Sequence, residues 1–407
     1  MRRTLSVTAA NLVARFAHLV LFILVGNHFG ANATTDSVFF LYAPLTVIMA
    51  VAASVADTVV MPAVHRAQQV QCVAAIRRLF VRTALLLVPV LSICALLVAR
   101  NFTPDVSWPV LMMMTPIPVF AALSAQYIGF LNAEARHRAA AISPLYGSLL
   151  AVPAVFVLPL TPWSLVTVLL LFEFGRTVGM RAHLVGAQGR AAAVTRDAAR
   201  SIAAWAAGNA AWQTVGAFSM GMIPLIDAMF AKTLAASAVT SVEYAGRLWN
   251  LAPLLFTGYL TLAYAQMSRT AAAQPLDKKG IRGLAARLGL AAFVVSLLAI
   301  TLSRPLIDLL YGAGIMNDAA RGNLANLLSC YLIGAGPFVA SLVYARALSA
   351  EGRVRLMAIG AMLSALVNLA GDATLIKLYG LSGIGLATSA TYTFSLLFLM
   401  RAYHRWK

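Results

Sequence analysis

Charge is scarce in this chain. Only 11% of its 407 residues are charged, and acidic residues are rarer still, 13 against 31 Lys and Arg. A soluble domain carries about 25% charged and about 45–50% apolar residues. Here 61% are hydrophobic, so a soluble fold of this size would leave a large apolar surface in water. Cysteine is also scarce. Cys72, Cys94 and Cys330 lie far apart, which excludes a disulfide framework and any Cys-based metal spacing. The chain has no P-loop, no G-x-S-x-G and no H-E-x-x-H. No enzyme, metal site or cofactor is therefore expected, and any uphill work has to draw on an ion gradient (a coupling cation), the membrane potential or a partner. The net charge of +18 does not point to nucleic acid, because the basic residues recur as short clusters between apolar runs rather than as one aromatic-laced patch.

What is present is a series of apolar runs, at 5–26, 37–62, 79–99, 108–132, 139–159, 163–181, 201–230, 241–268, 283–303, 321–349, 354–376 and 382–402. Each has the roughly 20 residues a spanning helix needs. A β-barrel would show alternating segments of about ten. The expected fold is an all-α integral membrane protein with about twelve transmembrane helices. Met1-Arg2-Arg3 followed by apolar residues resembles a signal peptide, but the run from Leu5 to Gly26 is too long and contains Asn11, Arg15 and His18, so it reads as an uncleaved first span.

The basic residues fix an orientation. Assigning loops alternately to two sides places 24 Lys and Arg on the side that carries both termini and 5 (Arg100, Lys232, Arg304, Arg321 and Lys377) on the other. Both termini are then cytoplasmic and the number of spans even. An internal repeat supports two halves. Ala133-Glu134-Ala135-Arg136-His137-Arg138 follows span four, and Ala350-Glu351-Gly352-Arg353-Val354-Arg355 follows span ten; a weaker match sets Ala33 to Ser37 against Ala238 to Val242. Six spans between copies imply two lobes of like orientation, related by an axis along the membrane normal. The lobes are expected at 1–185 and 201–407, with a cytoplasmic linker at 186–200. Pro116, Pro118, Pro224 and the run Gly334-Ala335-Gly336-Pro337 interrupt spans, and such breaks suit helices that bend. Gly175 and Gly179 read as helix packing within the bundle.

Ionisable residues inside spans point to function, since each is costly in lipid. Arg15 lies deepest and has no sequence neighbour to pair with, which favours an anionic ligand or a remote carboxylate. Asp57 falls in span two and Asp227 in span seven. Glu243 and Arg247 share one face of span eight, either as a structural pair or as site residues. Glu173 reads as a local pair with Arg176, Asp372 as a rim partner of Lys377, and His18 as a packed ring.

The residues also carry a resemblance. Ala14-Arg15, then Phe29-Gly30-Ala31, Thr35-Asp36 and Phe39, the segment Ile226-Asp227-Ala228-Met229-Phe230-Ala231, Tyr244-Ala245-Gly246-Arg247-Leu248, and Gly383 to Ser389 resemble, in order and spacing, the MviN/MurJ lipid II flippases. That family belongs to the multidrug/oligosaccharidyl-lipid/polysaccharide exporter superfamily. The resemblance implies two six-helix lobes around a central cavity, alternating access and an anionic lipid-linked sugar as cargo. By position, Arg15 and Arg247 match cavity arginines that meet pyrophosphate, Asp36 an outer-rim aspartate and Asp227 the span-seven aspartate. Departures are clear: Leu21 and Phe22 stand where the family has a second Arg-Asp pair, and Thr46, Met49 and Ala53 replace a charged stretch in span two. The chain also ends after twelve expected spans, without the two further helices of the lipid II flippases.

The expected function is thus a flippase moving a lipid-linked anionic saccharide, such as a polyprenyl-pyrophosphate-linked envelope precursor, across the bacterial cytoplasmic (inner) membrane. Arg15 and Arg247 would bind the phosphates, and Asp36, Asp57, Asp227 and Glu243 would serve coupling or gating. Expected partners are the lipid-linked saccharide, membrane lipids and envelope-biosynthesis enzymes, with no nucleic acid. The rival readings are a cation-coupled drug or metabolite antiporter of the same superfamily and a non-transporting scaffold of an envelope assembly complex.

Overall fold

A computed structural model describes residues 2–60, 63–64, 66–67, 73–185 and 196–405. The described residues are helical, with no strand. The helices are α1 (Arg2–Phe29), α2 (Ala33–Val55), α3 (Val73–Arg100), α4 (Trp108–Met114), α5 (Pro116–Ala133), α6 (His137–Ala141), α7 (Ser143–Val157), α8 (Pro162–Val185), α9 (Arg196–Lys232), α10 (Ala238–Trp249), α11 (Leu251–Ala273), α12 (Lys278–Thr301), α13 (Ser303–Tyr311), α14 (Asp318–Ile333), α15 (Ala335–Ala350), α16 (Val354–Tyr379) and α17 (Leu381–Arg405). Ten spans among the described residues, one of them α4 and α5 together, are long and apolar enough to cross a membrane, and α14 with α15, bent by 42° at Gly334, makes an eleventh. The remaining expected span, 241–268, is α10 and α11, which divide at Asn250. At 12 residues, α10 alone is too short to span.

The chain forms two compact units, Met1–Phe29 with Ser37–Gly221, and Gly30–Asp36 with Met222–Lys407. The expected linker at 186–200 lies mostly outside the described residues, and the units divide within α9, between Gly221 and Met222. The turn between α1 and α2 belongs to the second unit.

The repeated hexapeptide has the same structure in each unit. After α5, Arg136 N donates to Leu131 O at 2.9 Å; after α15, Arg353 N donates to Leu348 O at 2.8 Å. Ala135 and Gly352 occupy the left-handed region, at φ 58° and 73°. This is a Schellman cap, in which a left-handed residue lets the chain turn back onto the last carbonyls. The arginine that follows clamps the end of a later long helix of the same unit: Arg136 donates to His183 O on α8, and Arg353 to Ala402 O on α17 at 2.8 Å. Glu134 pairs with Arg77 in the first unit, and Glu351 with Arg353 at 3.4 Å in the second.

The expected breaks are present. Pro116 opens α5, Pro224 lies within α9, and Gly334 bends α14 against α15. At that bend Ser389 Oγ of α17 donates to Cys330 O at 2.6 Å and approaches Tyr331 O at 3.3 Å, so carbonyls freed by the break keep a donor. Gly175 lets α8 close on α7, since a Cβ there would stand 2.7 Å from Tyr146 O. That is packing inside one unit.

Candidate functional site

The strongest concentration of buried polar chemistry lies in the second unit. Asp227 of α9 is 3% exposed, and Asn368 and Asp372 of α16 are fully buried. Asn368 and Asp372 are four residues apart, on one helix face. Three donors converge on Asp227: Asn368 Nδ2 on Oδ1, and Tyr331 Oη of α14 and Thr388 Oγ1 of α17 on Oδ2, each at 3.2 Å. The Asp372 carboxyl interacts with that of Asp227. Both its oxygens, and Asn368 Oδ1, are buried with no hydrogen-bond partner.

Four helices thus bring two carboxyls, a carboxamide and two hydroxyls together away from water. Two adjacent buried carboxylates cannot both stay charged without a cation or a shared proton. An all-oxygen donor set suits a hard cation. No group of three or more His, Cys, Asp or Glu side chains with metal-holding geometry occurs among the described residues.

Asp372 corrects an expectation. It is not a rim partner of Lys377, which is exposed while Asp372 is fully buried. Five residues on a helix turn about 140°, so the two cannot share a face. The N-x-x-x-D spacing of Asn368 and Asp372 on a helix that also carries Ser364 and Gly360 was the signal available in the sequence. Thr388 lay in the Gly383 to Ser389 motif without a role assigned to it, and Tyr331 carried no signal of its own.

Arg247 and Glu243 form an ion pair along α10, with Arg247 Nε and Nη2 at 2.8 and 2.5 Å from Glu243 Oε1. Both are about a quarter exposed, 24% and 23%. The start of α10 is held by Asp36. Its Oδ2 accepts from Ser237 N at 2.7 Å, and its Oδ1 from Thr240 N at 2.8 Å and Thr240 Oγ1 at 2.6 Å. Asp36 therefore supplies from α2 the acceptor that a capping side chain normally supplies from its own helix. Tyr244 on the same helix donates to Gly30 O at 3.2 Å and stacks on Tyr311.

In the first unit, Arg15 is exposed on α1, with Nε 3.4 Å from Asn11 Oδ1. His18 is packed, stacked on Phe172 with centroids 4.4 Å apart. Glu173, 2% exposed, is paired with Arg176 at 2.9 and 2.8 Å. Leu21 and Phe22, where the resemblance had led to an Arg-Asp pair, are 1% and 3% exposed and belong to the core. Asp57 lies in a π-helical turn, Ala56–Val60, and its side chain is outside the described residues. The structure therefore gathers Asp227 with Asp372, links Asp36 to the helix of Glu243 and Arg247, and places Arg15 in the other unit.

A family model described as the lipid II flippase MurJ matches residues 25–407. The chain belongs to this family. Members are transporters of lipid-linked precursors, and the multi-pass helical architecture agrees with that. No curated protein matches the chain by sequence. Among solved structures, a lipid II flippase MurJ in an inward closed conformation is similar with a TM-score of 0.70 at 16% identity, over 97% of this chain and 87% of that one. An inward-facing multidrug resistance MATE family transporter of the MOP superfamily gives 0.72 at 14% identity, over 96% of each. A mutant of the Vibrio cholerae MATE transporter VcmN gives 0.64 at 12% identity, over 100% and 98%. These likenesses establish a shared fold.

Proposed function

We propose that this family member flips an anionic lipid-linked saccharide, such as a polyprenyl-pyrophosphate-linked envelope precursor, and couples the movement to a monovalent cation or proton held by Asp227 and Asp372. The observation that carries the coupling is the buried carboxyl pair with three orphaned acceptor oxygens. A site that is unfavourable when empty and charged, and favourable once it takes up a positive charge, is what coupling to an ion gradient requires.

The cargo end rests on Arg15 and Arg247. A guanidinium offers phosphate two parallel donors. In this reading Glu243 holds Arg247 until cargo phosphate replaces it, and Asp36 sets the position of the helix that carries both. The charge bias supports placing both termini in the cytoplasm and the protein in the bacterial inner membrane. The lobe boundaries of the reading are 1–185 and 201–407.

The similarity to multidrug MATE transporters favours one second reading, a cation-coupled antiporter of a cationic drug or metabolite. The two differ in cargo charge. Reconstituted liposomes offered a polyprenyl-pyrophosphate saccharide, a neutral lipid-linked sugar and a lipophilic cationic dye discriminate them. Flipping of the first alone supports the proposal; uptake of the dye alone supports the antiporter and overturns it.

A further inference from the structure

A second internal repeat heads a long, largely exposed apolar helix in each unit. Ile76-Arg77-Arg78-Leu79-Phe80-Val81-Arg82 on α3 and Ile281-Arg282-Gly283-Leu284-Ala285-Ala286-Arg287 on α12 both read I-R-x-L-x-x-R. Ile76 and Ile281 are buried, and Arg82 and Arg287 are exposed. Below each exposed arginine the same helix face continues as an apolar stripe. On α3 it is Leu86, Val90, Ile93 and Leu97; on α12 it is Leu290, Val294 and Leu298, which are 65%, 50% and 62% exposed. Spacings of three and four residues keep each stripe under its arginine.

Depth decides what such an arginine needs. Arg82 lies 18 residues before Arg100 on α3, about 27 Å at 1.5 Å per residue. Arg100 stacks over Trp108 at 3.6 Å, an aromatic anchor of the kind found at a membrane interface. The hydrocarbon core is about 30 Å thick. That length sets Arg82, exposed on α3, at the level of the opposite headgroup boundary. Among the described residues neither Arg82 nor Arg287 meets a carboxylate, whereas Arg77, on the same helix as Arg82, pairs with Glu134; Arg287 Nε donates to Gly283 O of its own helix at 3.2 Å, which leaves its outer nitrogens for a ligand. A guanidinium at that depth requires a phosphate-like acceptor.

We propose that Arg82 and Arg287 each seat the phosphate of an anionic phospholipid of the bilayer, with its acyl chains along the stripe below. The two seats are equivalent positions of the two units. Flanking cations Arg78 and Lys279, both exposed, favour a headgroup of net negative charge over a zwitterionic one.

The test uses the full chain without its native cysteines (Cys72→Ser, Cys94→Ser, Cys330→Ser), labelled with bimane at Ile93→Cys or Val294→Cys. It is reconstituted in phosphatidylcholine vesicles containing dibrominated phosphatidylglycerol or, at equal fraction, dibrominated phosphatidylcholine. Bromine quenching reports which lipid occupies the stripe. Phosphatidylglycerol should be preferred about fivefold, the size of one basic residue's attraction to anionic lipid. Arg82→Gln should abolish the preference at the first label and leave the second unchanged, Arg287→Gln should do the reverse, and Arg→Lys at either position should largely restore it. Size-exclusion elution identifies folded variants. Equal quenching by the two lipids in the parent, or a preference that survives the matching Gln variant, overturns the proposal. So does loss of the preference on adding inorganic phosphate at constant ionic strength, which would assign the seats to free anions.

Discussion

Replacing Asp372 by Asn separates a coupling site from a structural one, because the two roles predict opposite signs. Asp372 and Asp227 are buried and interact, and neither Asp372 oxygen has a hydrogen-bond donor. Asn fills nearly the same volume and removes one charge. Two unit charges about 4 Å apart at an effective dielectric of about 20 interact by about 4 kcal/mol. A cation between the carboxyls loses a term of that order, reduced by what Asp227, Thr388 and the new carboxamide oxygen still supply. About 2–4 kcal/mol of lost affinity is roughly 30- to 1000-fold weaker binding. Without cation the sign reverses, because the variant no longer has to take up a proton or bear like-charge repulsion on burial. The assay is thermal unfolding of the purified protein in sodium chloride and in choline chloride at equal ionic strength. The wild type should gain about 2.7 kcal/mol at a sodium concentration one hundred times its Kd. Asp372→Asn should melt higher than wild type in choline and respond little to sodium. A variant that keeps the wild-type sodium response refutes the reasoning. So does a wild type whose melting moves neither with sodium nor on lowering the pH.

Other consequences can be checked independently. Gly352 sits at φ 73° with nothing within 4 Å of an added Cβ, so Gly352→Ala should cost about 1 kcal/mol from backbone conformation alone. Ala135→Gly, at the equivalent turn of the other unit, should stabilise by a similar or smaller amount; thermal melts read both. Asp36→Asn leaves one side-chain acceptor oxygen where Asp36 supplies two to Ser237 N, Thr240 N and Thr240 Oγ1. It should cost about 1–3 kcal/mol, seen as faster hydrogen exchange of the Ser237 and Thr240 amides.

The fold was legible in the sequence wherever one physical rule acts over a whole segment. Apolar length marked all twelve expected spans; eleven are helices long and apolar enough to cross a membrane, and the twelfth is α10 with α11, divided at Asn250. The A-E-small-R-x-R repeat was visible as letters, and its meaning, a left-handed cap followed by an arginine clamp on a later long helix of the same unit, needed the partners His183 and Ala402, which lie 47 and 49 residues further on. The Asp227 cluster was half legible. A lone span-seven aspartate stood out because charge in lipid is costly, but Asp372 was set beside Lys377 by nearness in sequence instead of by helix angle. Thr388 and Tyr331 are ordinary residues until α14, α16 and α17 bring them to Asp227. Asp36 was marked by resemblance; that its carboxylate caps a helix some 200 residues away follows only from tertiary structure.

Flipping of an anionic lipid-linked saccharide on Arg15 and Arg247 can be measured in proteoliposomes with a fluorescent polyprenyl-pyrophosphate saccharide, comparing Arg247→Gln and Arg15→Gln with wild type at equal folded protein. Wild type should flip the lipid and both variants should lose that activity. Wild-type rates in both variants, or no flipping of the anionic lipid by wild type under an imposed cation gradient of either direction, would rule out the proposed role of the arginines.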